Sequence, residues 1–161
     1  MISYILAMVC GGLFLAADQF TKYLVVSGMA YNSSKAFLPG FLGFWYIHNE
    51  GGAWGFLEGH TWILLSVTIL IMLICVAMIL KLGTKNKLLF WAMCLILSGG
   101  LGNMIDRIFR HGKVVDFLHF EFIRFPVFNL ADCAIVIGAG LLVLCFVLDT
   151  LRDARLKKGV R

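Results

Sequence analysis

Four stretches of this chain are too long and too apolar to be held in an ordinary water-soluble fold. A membrane-spanning helix needs about 20 predominantly apolar residues. Ile2 to Ala17 carries no charge, and its helix can run past Asp18 to about Val26. Thr61 to Leu80 is an uncharged run of 20, Leu88 to Ile105 one of 18, and Phe125 to Leu148 a run of 24 broken only by Asp132. The pattern predicts an all-α membrane protein of a single domain, residues 1–161, with spans at about 2–26, 61–80, 88–106 and 125–148. Composition excludes the soluble alternative. The chain is 61% hydrophobic and 14% charged, where a soluble domain is roughly half apolar and a quarter charged. The first run lacks a basic leading region, and Asp18, Gln19 and Lys22 follow it directly. It therefore reads as a span and not as a cleaved signal peptide.

The net charge of +5 does not point to nucleic acid, because the basic residues collect at the ends of apolar runs, where they suit lipid headgroups. The five cysteines sit in apolar stretches with no CxxC pair, and the four histidines show no HExxH spacing. No disulfide, metal or cofactor is expected from such a pattern. The Lys81 to Lys87 connection holds three lysines and no acid, and Arg152, Arg155, Lys157, Lys158 and Arg161 follow the fourth span. Dense basic clusters of this kind face the cytoplasm, so both termini are expected inside and the loops 27–60 and 107–124 outside. The aromatic run Phe41 to His48 suits a strand at the membrane surface, and glycines at 40, 51, 52, 55 and 59 break the rest of that loop into turns. A small β-rich extracytoplasmic subdomain is the expectation.

On this topology the polar residues converge. Asp18, Gln19 and Lys22 end the first span, and Asn49 and Glu50 lie in the first outer loop. Asn103, Asp106 and Arg107 end the third span, Asp116 is in the second outer loop, and Asn129 and Asp132 open the fourth span. Sixteen residues separate Asp132 from Asp149, about 24 Å of helix and most of the hydrocarbon thickness. Asp132 therefore belongs just inside the outer boundary of the apolar layer, where an ionisable group is a functional candidate; taken alone it also reads as a helix-capping residue. Gly99, Asn103 and Arg107 recur every four residues and share one helix face, with Asp106 beside them. The glycines permit close helix packing.

Five short motifs follow one another in the chain: Asp18-Gln19-Phe20-Thr21-Lys22, Asn49-Glu50-Gly51-Gly52-Ala53-Trp54-Gly55, Gly99 to Arg107, Val114-Val115-Asp116-Phe117, and Phe128-Asn129-Leu130-Ala131-Asp132. In type and order they resemble the signature boxes of the bacterial lipoprotein signal peptidases (signal peptidase II), over essentially the whole chain. The resemblance implies a membrane aspartyl endopeptidase that removes the signal peptide from diacylglyceryl-modified prolipoproteins, cutting just before the lipidated cysteine. It implies Asp116 and Asp132 as the catalytic pair. It assigns substrate contacts to Asp18, Asn49, Asn103, Asp106, Arg107 and Asn129, with Lys22 and Gly51 of the same boxes as further candidates. The implied setting is the bacterial cytoplasmic membrane, with the site near the outer leaflet, membrane lipid and prolipoprotein as partners, no nucleic acid, and a monomeric chain.

Chemistry supports an aspartate pair independently. Two close carboxyls that share one proton can take a proton from water and support a carbonyl oxygen at once. Ser98 and Thr21 have no evident base partner, and Cys133 sits in an apolar run, so nucleophilic catalysis is the weaker reading. Asp132, at the head of a span, is expected to be the more buried and protonated member, and Asp116, on a loop, the ionised base. The competing reading is a proton-coupled solute transporter, in which intramembrane Asp residues relay protons. Transport requires polar sites that reach both sides of the bilayer, whereas here they gather at one.

The topology is testable in intact cells carrying single cysteines in a cysteine-free background. A cysteine at position 86 is expected to stay unlabelled by an impermeant thiol reagent added outside, and cysteines at 32 and 111 to react. Labelling at 86 would invert the arrangement.

Overall fold

The structure, a computed structural model, describes residues 2–52 and 57–159, the last three as backbone only. Ala53, Trp54 and Gly55 of the second motif and the basic Arg161 lie outside the described residues, as do the side chains of Lys157 and Lys158. Four helices and a three-stranded sheet make up the fold: α1 (Ile2–Gly28), β1 (Ser34–Leu38), β2 (Leu42–Asn49), α2 (Thr61–Leu82), α3 (Lys87–Phe109), β3 (Val114–Phe120) and α4 (Leu130–Gly159). All four helices are long and apolar enough to cross a membrane.

Burial within the chain is unequal, which follows from a lipid surround. Only 6% of the most apolar window of α2 is buried, against 50% for α3. An apolar helix exposed over most of its surface is stable only where lipid covers it. Helix α3 is the hub, packed on α1, α2 and α4 and most extensively on α4. Glycines let α3 and α4 approach closely. A Cβ at Gly99 would collide with the Ala131 carbonyl oxygen, and one at Gly138 would lie 2.8 Å from the Ala92 carbonyl oxygen. At Gly102 a Cβ would lie 2.6 Å from the Asp18 carboxylate and 3.1 Å from the Ala131 Cβ. The small-residue stripe thus brings three helices together at one level. Cys75 of α2 and Met93 and Ile96 of α3 form a second buried cluster, against which Leu142 of α4 also packs.

The sheet is antiparallel in the order β1-β2-β3. Strand β2 is the aromatic run read from the sequence, and β3 pairs with it so that Asn49 faces Val114 and Ile47 faces Asp116. Val25 of α1, Tyr46 of β2, and Val115 and Phe117 of β3 form the core that seats the sheet on the bundle. Gly112 (φ 88°) makes the turn that carries the chain from α3 into β3, and its N–H donates to the Arg107 carbonyl at 2.9 Å. Helix α3 therefore hands its polar end directly to the strand that bears Asp116.

The fourth helix begins at Leu130, five residues after its apolar run begins. Residues 125–127 are irregular instead, and Phe128 forms an isolated β-bridge. Pro126 disfavours helix at the residue before it, and Phe128 pairs with Leu118 through two backbone hydrogen bonds of 2.8 and 2.9 Å. Phe128 also packs on Phe120 and Phe125. This bridge fixes where Asn129 enters α4.

Candidate active site

Every residue of the site sits where a helix end meets the sheet. Asn129 caps α4: its Oδ1 accepts from the Asp132 N–H at 2.9 Å, and Asp132 Oδ2 accepts from the Asn129 N–H at 3.1 Å. This reciprocal pair is a capping box. The next free N–H, of Ala131, donates to Asp18 Oδ1 at 2.9 Å. Capping uses only one oxygen of Asp132: the second, Oδ1, accepts from Asn103 Nδ2 at 2.7 Å, and the side chain lines a cavity.

Asp116 reaches the same place from β3. Its Oδ1 accepts from Asn129 Nδ2 at 2.6 Å and its Oδ2 from Asn49 Nδ2 at 2.8 Å. Asn49 is held in turn by the N–H groups of Gly51 and Gly52, which donate to its Oδ1 at 3.0 and 2.8 Å. Gly51 thus positions Asn49 through its backbone and lies at a shallower neighbouring hollow.

The cavity has a volume of about 540 Å³. Asn49, Asn103, Arg107, Asp116 and Asp132 supply its polar groups. The rest of its wall is apolar, with Phe120, Phe125 and Val127 on the sheet side and Ile137 on α4. Arg107 is 9% exposed, and its Nε has no hydrogen-bond partner among the described residues. A buried guanidinium N–H left free at a cavity wall is a donor awaiting an acceptor.

Behind the cavity lies a second layer. Lys22 is fully buried, and its Nζ donates to Asp18 Oδ2 at 2.9 Å, Asp106 Oδ2 at 3.0 Å and Asn103 Oδ1 at 3.0 Å. Three N–H donors meet three acceptors, so the ammonium is saturated. Asp106 also accepts from the Val115 N–H at 3.1 Å and from Arg110 Nε at 3.3 Å. Removing one partner from such a buried set costs on the order of 3–5 kcal/mol, because a charge is left uncompensated.

Of the residues read from the sequence as substrate contacts, Asn49, Asn103 and Arg107 line the cavity. Asp18, Lys22, Asp106 and Asn129 do not; each is at most 1% exposed and turned to its own partners. The sequence marks which end of the bundle these residues occupy, but not whether they face the cavity or its scaffold. Arg110 and Gln19 also belong to this cluster. Arg110 braces Asp106 from four residues on, and Gln19 donates to Asp18 Oδ2 at 3.2 Å and to the Gly102 carbonyl at 3.1 Å. The i, i+4 spacing of Asp106 and Arg110 is a signal that could have found the first.

The expected order of burial is reversed. Asp116 is fully buried, whereas Asp132 keeps partial exposure. The loop that carries Asp116 is a strand covered by β2 and α1, while Asp132 stands at an open helix end. Burial, followed by the nearby Asp132 carboxylate, pushes the Asp116 carboxyl up to about 7, against the pull of the Asn49 and Asn129 amides and of Lys22.

Comparison with known proteins decides the family. Residues 10–148 match the family model described as Signal peptidase (SPase) II. This chain is a member of the signal peptidase II family. A lipoprotein signal peptidase of Bacillus pumilus is 39% identical over 151 residues, covering 92% of this chain and 94% of the relative. One of Enterococcus faecalis is 34% identical over 137 residues, covering 85% and 84%. Among solved structures, a bacterial membrane enzyme determined by the in meso method at 2.3 Å resolution superposes with a TM-score of 0.84 at 33% identity, covering 89% of this chain and 88% of the other. Membership of the signal peptidase II family, with four apolar helices, makes this a multi-pass bacterial membrane protein.

Difference infrared spectroscopy can read the raised carboxyl. A protonated-carboxyl band is expected to titrate with a midpoint near pH 7 and to disappear in Asp116→Asn. The same band unchanged in that variant would assign it to another group.

Proposed function

We propose that this chain is a lipoprotein signal peptidase that hydrolyses diacylglyceryl-modified prolipoproteins just before the lipidated cysteine, with Asp116 and Asp132 activating the water. Family membership supports the class of substrate and the removal of a signal peptide. The observation that carries the aspartate mechanism is that two carboxyls, from a strand and from a helix start, open on one cavity whose remaining wall is largely apolar.

The chemistry follows from the surroundings of each carboxyl. Asp116 is the more buried of the two, and burial disfavours its charged form, so it is assigned the shared proton. Asp132 keeps access to the cavity and acts as the base that takes a proton from water. The protonated Asp116 then donates to the scissile carbonyl oxygen as negative charge develops there. This order of roles reverses the one expected from chain position. Arg107 directs its guanidinium to substrate carbonyls or to the lipid ester region. The apolar wall accommodates the acyl chains, and the polar end of the bundle lies toward the outer leaflet with both termini in the cytoplasm.

A transporter fits less well. Asp18, Asn49, Asn103, Asp106, Arg107, Asp116, Asn129 and Asp132 all gather at one end of the bundle, whereas transport requires a polar path that reaches both sides.

Single-turnover cleavage of a lipidated substrate by purified, folded variants tests the pair. Asp116→Asn and Asp132→Asn should each lose activity by a factor on the order of 10⁴ or more, and the double variant should be little worse than either, because the two groups act as one device. Substantial turnover in either single variant would remove the pair from the mechanism.

A further inference from the structure

Asparagine amides are ambiguous in orientation unless a neighbour dictates it. Here one neighbour does. Lys22 has donors only, so the atom of Asn103 that lies 3.0 Å from its Nζ must be the acceptor Oδ1. Asn103 Nδ2 is thereby turned toward Asp132, to which it donates at 2.7 Å. The same Oδ1 accepts from Asn129 Nδ2 at 3.0 Å, and Asn129 Nδ2 also reaches Asp116 Oδ1. One buried ammonium therefore sets the sense of the Asn103 amide that arrives at Asp132, and Asn129, whose own Oδ1 is fixed by the Asp132 N–H, links that amide to Asp116.

We propose that Lys22 is a positioning residue for the aspartate pair, orienting the Asn103 amide toward Asp132 and favouring ionisation of the pair through its buried charge. The proposal rests on Asp116 and Asp132 being the reacting carboxyls. Lys22 does not touch substrate, since it is fully buried and lies behind the cavity wall. The charged groups around the pair are Asp18 and Lys22 from α1, and Asp106 and Arg107 from α3; β2 presents the neutral Asn49. Lys22 and Arg107 favour ionisation of the pair, whereas Asp18 and Asp106 oppose it. Saturation of Lys22 by two carboxylates fixes its place but does not cancel its effect on Asp116, on which it acts downward.

The test uses purified full-length enzyme in lipid-detergent micelles with a fluorogenic lipopeptide that carries a diacylglyceryl cysteine. Lys22→Met keeps the length of the side chain and removes its charge. With folding verified by thermal unfolding, kcat should fall on the order of 100-fold, as when a reacting group is displaced by about 1 Å, while KM stays nearly unchanged. The acid limb of the kcat/KM profile should move to higher pH, because the pair has lost a cation that favours its ionisation. An unmoved acid limb in folded Lys22→Met overturns the proposal whatever its kcat. Asp116→Asn, inactive in the same assay, then shows that the aspartate pair survives that outcome; an active Asp116→Asn overturns both. If Lys22→Met does not fold, Asp18→Asn carries the test with the opposite sign. It removes an anion that opposes ionisation, so the acid limb should move to lower pH, and a limb that stays in place overturns the proposal.

Discussion

A charge buried at a helix end must be fully paired inside the protein, and the site described here is organised around one that is. The Lys22 ammonium has no solvent and no spare donor. Its partners come from two helices, Asp18 on α1, and Asn103 and Asp106 on α3. Asp18 extends the tie to α4 through the Ala131 N–H, and Asp106 extends it to β3 through the Val115 N–H. Four elements thus share one ion cluster. Such clusters contribute little net stability, since desolvation offsets most of the attraction. What they supply is registry: displacing any one element leaves a buried charge unpaired.

Registry of this kind is what a pair of carboxyls from distant elements requires. Asp116 and Asp132 lie 16 residues apart, on a strand and on a helix that begins just after it. The bridge between Leu118 and Phe128 folds the intervening chain back on itself, and the capping box then places Asp132 at the third position of α4. Close approach of α3 and α4 at Gly99 and Gly138 brings Asn103 within reach of Asp132 and Asn129. Residues 125–128 and the first turns of α4 form the apolar wall of the cavity. One surface thus presents charge and hydrocarbon together, which suits a peptide joined to a lipid.

Much of this was legible in the sequence. The apolar runs mark four helices, the aromatic run at 41–48 marks β2, and the five motifs mark the polar end. Three features were not. The start of α4 was hidden because Phe125 to Phe128 is as apolar as the span itself but is spent on the sheet and on the cavity wall. Strand β1 was hidden because its five residues are all exposed and carry no alternation. The division between cavity and scaffold was hidden because Asp18, Lys22, Asp106 and Asn129 have the same composition and chain position as residues that line the cavity. Of that buried cluster, the Asp18–Lys22 spacing of four is visible along the chain, but the approach of Asp106 from another helix is not. The reversed burial of Asp116 and Asp132 has the same origin: a residue between two spans reads as an open loop, yet Asp116 lies on a strand that β2 and α1 cover.

The account stands or falls on the two carboxyls meeting at the scissile bond. The most direct measurement is a crystal structure with a lipopeptide in which a tetrahedral hydroxyl group replaces the scissile carbonyl next to the diacylglyceryl cysteine. The account predicts that hydroxyl within hydrogen-bond distance of both Asp116 and Asp132, with the acyl chains along the wall that includes Phe125 and Ile137. A hydroxyl bound away from either aspartate, with the lipopeptide still held in the cavity, would contradict it.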